Sequence, residues 1–218
     1  MLLGIPAGSQ RLLAFLALRD REMPHYEVAR TLWPRASDEQ ASEYLRTAIF
    51  GLNSRADETV MVTGADLRLG DGMVIDVRYA ESLARRLLDP DAPPADPDTG
   101  ATAVAALSED LLPGWYDHWA LFAAEAWHQL RMHALETVAA RLTAADRLAE
   151  AASAARAAVQ AEPLRESARA ALIRVFLARG QRADAVDEFE RYRALLQAEV
   201  GIEPTSLLSQ LVSGDEPA

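Results

Sequence analysis

At Thr59 the apolar spacing of this chain changes from helical to alternating, and at Val77 it changes back. That double switch confines any sheet to a short stretch, so most of the core must come from helices packed on helices. The alternating runs span residues 59–63, 66–69 and 73–77, and are broken by Gly64, Gly70 and Gly72. Three helices are predicted ahead of them. Ser9 is placed to cap the first, whose Leu12, Leu13, Phe15, Leu16 and Leu18 recur at helical spacing. The second runs from about Pro24 to Trp33 and ends at Pro34. Ser37, followed by Asp38, Glu39 and Gln40, opens the third with a capping box. Its apolar stripe is Ala41, Leu45, Ala48, Ile49 and Leu52.

Three short helices and a small hairpin follow the winged helix-turn-helix plan, assigned here to residues 1–76. After Asp76 the pattern predicts helices over 77–88, 101–110, 118–143, 147–161, 165–179 and 182–199. Residues 89–100, crowded with proline and aspartate, read as an exposed loop. Residues 147–151 align with 182–186 at an offset of about 35, and Arg156 then falls on Arg191. This is close to the roughly 34-residue tetratricopeptide period. Pro163 closes one unit, and Gly180 stands where a helix end favours a left-handed residue. The fold class is therefore mainly α: a winged helix-turn-helix plus a tetratricopeptide-like α-helical bundle over residues 77–212.

Composition narrows the chemistry. All 22 basic residues are arginine, there is no cysteine, and the formal net charge is −11. Thiol catalysis, disulfides and cysteine zinc sites are excluded, and generic affinity for nucleic acid is disfavoured. The charge is uneven: residues 1–88 hold 11 arginines against 12 acids, and residues 89–218 hold 11 against 21. The near-neutral first part retains room for a local basic face, while an acidic repeat face favours a basic protein partner. No apolar run is long enough for a membrane span and the start does not read as a signal peptide, so a cytoplasmic location and no membrane partner are expected. His25, His118, His128 and His133 are not spaced as a helical metal pair, and no phosphate loop or nucleophile elbow occurs. No catalytic residue, metal or cofactor is expected. Trp127 and Phe122 read as core.

Residues 110–119, Asp-Leu-Leu-Pro-Gly-Trp-Tyr-Asp-His-Trp, look like the opening of the bacterial transcriptional activator domain. So do residues 130–136, 162–168 and 201–204, while residues 8–16 and 31–34 resemble the winged helix that precedes it. Across nearly its whole length the chain is similar to the SARP-type activators, the actinobacterial antibiotic-regulatory family. The resemblance implies a DNA-binding winged helix, a tetratricopeptide-like domain, and transcription activation through promoter DNA and RNA polymerase. The nucleotide-binding module of larger members has no counterpart in this sequence.

Two departures bear on function. Members usually carry a small sheet ahead of the first helix, whereas this sequence starts almost at that helix, so no such sheet is expected within it. Their third helix is typically basic, whereas Phe50, Gly51 and Asn53 stand where relatives often carry arginine. The DNA-binding candidates are Arg46, Thr47, Asn53, Ser54 and Arg55 on the third helix, with Arg68 in the wing either touching DNA or simply solvated; Arg19, Arg21 and Arg30 around the first two helices either steady the DNA backbone or form a solvated face. Arginine reads guanine and asparagine reads adenine, so some reading capacity is expected with few phosphate anchors. Trp115 and Trp119 are expected to pack between the two domains. The alternative is a protein-interaction module with a degenerate winged helix, binding through its helical repeats. A homodimer is compatible with either.

Overall fold

The computed structural model describes residues 4–54, 56, 58–91 and 96–214. The fold is mainly α, and among the described residues the chain divides into two units. The first comprises Met1–Tyr79 and Leu112–Ala124, and the second Ala80–Leu111 and Glu125–Ala218.

The first unit holds α1 (Ala7–Ala17), α2 (His25–Leu32) and α3 (Asp38–Asn53), with strands β1 (Met23–Pro24), β2 (Val60–Thr63) and β3 (Asp66–Leu69). Helix α3 packs on both α1 and α2, and the sheet is antiparallel with order β1-β3-β2. Val62 and Met23 both pair with Leu67, which is fully buried. The core joins Leu12, Phe15 and Leu16 to Val28, Leu32, Leu45 and Leu52. The capping box at α3 forms as expected: Gln40 N–H donates to Ser37 Oγ and Ser37 N–H donates to Gln40 Oε1, each at 3.3 Å.

Four local expectations are revised. Pro6, not Ser9, caps α1; Ser9 is buried inside the helix and donates to Ala48 O at 3.0 Å. Residues 73–75 form no strand, and the third strand is Met23–Pro24, whose partner β3 is already in place. Residues 92–95 of the acidic loop lie outside the described residues, and Asp96–Thr99 forms a 3-10 turn, where Arg86 holds Asp98 by two hydrogen bonds of 2.9 and 3.2 Å. Finally, Phe122 is 65% exposed, its ring against His118, whereas Trp127 is core and donates to Glu109 O at 2.9 Å.

Trp115 and Trp119 both lie within the first unit, because residues 112–124 pack with its helices. Trp119 is 7% exposed and meets Phe15 edge-on at 5.4 Å, and Trp115 lies 5.8 Å from Trp119. These rings join residues 112–124 to the core built on α1, α2 and α3.

The second unit contains α5 (Ala101–Ser108), α7 (Leu148–Ala161), α8 (Glu166–Ala178), α9 (Arg182–Glu199) and α10 (Ser206–Ser213). It also takes most of α4 (Asp76–Leu88) and α6 (His118–Ala144), which contribute residues to both units. Helix α8 packs on α7 and α9, with alanines 151, 154, 155, 158 and 168 fully buried at the crossings. Helices α6 and α8 end in the same turn. Gln181 N–H bonds Phe176 O and Gly180 N–H bonds Leu177 O, as Arg147 bonds Leu142 O and Asp146 bonds Thr143 O. Arg147 and Gln181, which precede α7 and α9, have nearly identical backbone angles (φ −87°, ψ 56° and φ −87°, ψ 62°). The structural repeat is thus 34 residues, one fewer than the sequence alignment. Arg169 joins α8 to α9: it pairs with Glu188, donates to Pro163 O and lies 5.5 Å from the Tyr192 ring.

Candidate nucleic-acid interface

Burial of Ala41, Leu45, Ala48 and Leu52 against α1 and α2 fixes which side of α3 faces outward. The outward side runs through Glu39, Glu43, the adjacent Arg46 and Thr47, Phe50 and Ser54, successive turns lying three or four residues apart. Arg46 is exposed and forms no ion pair among the described residues, so its guanidinium is available to an incoming acceptor. Thr47 is exposed, its hydroxyl donating to Glu43 O at 3.0 Å. Ser54, exposed at the C-cap, makes a long bond of 3.4 Å to Gly51 O. Arg55 lies outside the described residues.

Asn53 leaves the reading set. Its Nδ2 donates to Val60 O and its Oδ1 accepts from Val60 N–H, both at 2.9 Å. The amide is spent clipping the end of α3 to β2. Arg68 leaves it too. Its guanidinium takes Asp71 in a two-point pair, reaches Glu22 at 3.5 Å and donates to Leu69 O at 3.1 Å. The hydrogen bond from Arg68 holds the Asp71 carboxyl below its ordinary value and, in return, raises the arginine above its own. A phosphate would have to displace two carboxylates to reach Arg68.

The surrounding arginines divide in the same way. Arg19 lies 4.8 Å from the Phe15 ring and Arg78 binds the carbonyls of Leu16, Ala17 and Arg19. Arg30 is exposed, with a long contact of 3.8 Å to Asp38. Arg21 and Arg35 are exposed without ion pairs among the described residues. Arg35 was not picked out from sequence, although its place in the turn just before the third helix was a usable signal.

Against these cations, Asp38 and Glu39 occupy the first turn of α3 and Glu43 follows one turn on. They stabilise the positive end of the helix dipole and would repel a phosphate there. Phe50 is 75% exposed on the same face. The outward side of α3 is therefore acidic, then cationic at Arg46, then aromatic.

Among the described residues no helix is long and apolar enough to cross a membrane. A comparison with curated proteins finds no match. Among solved structures the chain is similar to Mycobacterium tuberculosis EmbR in complex with a low-affinity phosphopeptide, at a TM-score of 0.64 and 17% identity. The match covers 97% of this chain and 60% of that one, and is a likeness of fold. Residues 75–213 match the bacterial transcriptional activator domain, and the chain belongs to that family of transcription activators.

Proposed function

We propose that the chain is a transcriptional regulator of the SARP type whose first unit is a winged helix-turn-helix, α3 lying in the major groove of promoter DNA. The observation that carries this reading is Arg46, an exposed and uncommitted guanidinium midway along the outward side of a capped helix. Thr47 and Ser54 supply short polar contacts, and Arg30 and Arg35 flank the start of α3 as phosphate ligands. Family membership supports a cytoplasmic role in which the helical repeats meet RNA polymerase or another protein.

Binding rests on few cations, so few counterions are released. Affinity should fall with salt more gently than the roughly 10³–10⁵-fold loss between 50 and 200 mM expected for 6–10 phosphate contacts. The test is fluorescence anisotropy with DNA from upstream of the gene and a scrambled duplex. Arg46→Ala should abolish much of the preference for the first duplex. Arg165→Ala, which breaks a 2.7 Å pair with Glu136 in the second unit, should leave it intact. Equal, negligible binding to both duplexes at low salt refutes the DNA reading.

A second reading is favoured by exposed Phe50 on the same face of α3 as Glu39 and Glu43: a face suited to a protein rather than to phosphate. Under it, Phe50→Ser would cost a protein partner its anchor while Arg46→Ala would have little effect.

A further inference from the structure

The whole-chain charge points to basic partners, yet the repeat unit contains a cleft of the opposite character. Between α7, α8 and α9 lies a cavity of about 460 Å³ lined by Arg156, Arg169, Arg179 and Arg191, with Asp184 and Glu188 as its acids. Arg169 and Glu188 neutralise one another, and Arg191 reaches the second Glu188 oxygen at 3.2 Å. Arg156, over the Phe176 ring at 5.9 Å, and Arg179 form no ion pair among the described residues. Positive charge is thus left over inside a unit whose sequence is acidic. The 34-residue repeat contributes to this. It brings α7 and α9 to equivalent places, and Arg191 stands one residue beyond the position equivalent to Arg156. Two guanidiniums from successive repeats therefore face one cavity.

A second groove of about 430 Å³, floored by Ala101, Val104, Ala105 and Ala157, shares Arg156 and Gln160 with the first. The two cavities adjoin at Arg156 and Gln160, with small apolar residues on one side and arginines on the other. A small anion would use only the arginine side. A peptide uses both.

We infer that these adjoining cavities bind an acidic segment of a protein partner, its carboxylates on Arg156, Arg179 and Arg191 and an apolar side chain over the alanine floor. Guanidiniums take carboxylates in two-point pairs, and the local surplus governs because the remaining acids are screened beyond about 8–10 Å in salt. The site does not depend on whether α3 binds DNA.

The experiment uses the full chain and a fluorescein-labelled peptide of repeated Glu-Glu-Leu-Ala units, followed by anisotropy. A version with lysine for glutamate, a version with serine for leucine, and inorganic phosphate as competitor complete the set. The acidic peptide should bind, and binding should weaken with salt. Arg156→Gln and Arg179→Gln should each weaken it about tenfold. Arg174→Gln, at an exposed position of α8 outside the cleft, should leave it unchanged, as should Arg46→Ala on α3. Far-ultraviolet circular dichroism confirms that each variant is folded. Failure of the acidic peptide to bind at low salt, equal binding of the lysine version, or equal loss in Arg174→Gln overturns the proposal. Binding that ignores the leucines and is displaced by phosphate would assign the cleft to a small anion and overturn it as well.

Discussion

Substituting alanine for Gly51 sets a local preference against a packing constraint. A β-carbon at position 51 would lie 2.7 Å from Ser9 Oγ. Ser9 is 1% exposed and its hydroxyl is held by Ala48 O. To make room the hydroxyl must leave that bond, and a buried hydroxyl without a partner costs about 1–3 kcal/mol. Alanine is favoured over glycine in a helix interior by about 1 kcal/mol. The single variant should therefore lose about 0–2 kcal/mol despite the better helix former. With Ser9→Ala already present the obstacle is gone, since the Ser9 β-carbon is 3.8 Å away. There Gly51→Ala should gain about 1 kcal/mol, a rise of roughly 4–8 °C in Tm for a domain of this size. The assay is urea unfolding followed by Trp33, Trp115 and Trp119 fluorescence in a Trp127→Phe background, which silences the second unit's tryptophan. Effects that add within about 0.5 kcal/mol would refute the reasoning, because independent sites behave in that way.

Trp119→Ala should cost the first unit about 3–5 kcal/mol, and an unchanged unfolding curve would contradict its place in the core. Asp146 occupies a left-handed position (φ 58°) in the turn that Gly180 fills in the next repeat, so Asp146→Gly should be neutral or stabilising by thermal melting, whereas Gly180→Asp should destabilise. Asp71 should titrate below the ordinary aspartate value near 3.9 when followed by carboxyl carbon NMR. Because its folded value is depressed, the pair's contribution to stability is present above that ordinary value and is lost as pH falls through the folded one. Arg68→Ala should return Asp71 to the ordinary range.

The helices were legible because burial writes a period into the sequence. Leu45, Ala48 and Leu52 could face only one way, and Ser37 with Gln40 marked the start of α3. Features that depend on a distant partner were not legible. Met23–Pro24 is too short to alternate and becomes a strand only because β3 passes beside it. Asn53 looked like a free reader because nothing local reveals that Val60 returns to within 2.9 Å of its amide. Arg68 looked like a wing cation, although Asp71 three residues on was a visible hint of a pair. Gly51 looked like a defect in a reading helix until Ser9 was seen against it. Helix α10 was passed over although Thr205 precedes leucines 207, 208 and 211 at helical spacing.

The Arg169–Glu188 pair constrains how this unit can evolve. Both side chains are nearly buried, at 11% and 5% exposed, so losing Glu188 strands Arg169 as an uncompensated charge and losing Arg169 leaves Glu188 only the exposed Arg191. Such a loss typically costs about 3–5 kcal/mol, comparable to the stability margin of a small domain. Replacing both at once with apolar residues of similar volume is often neutral or better. Each single step is therefore closed while the double step is open. Among relatives the two positions should change together, charged pair to apolar pair, with few sequences caught between. Arg191, at an exposed position, carries no such packing obligation.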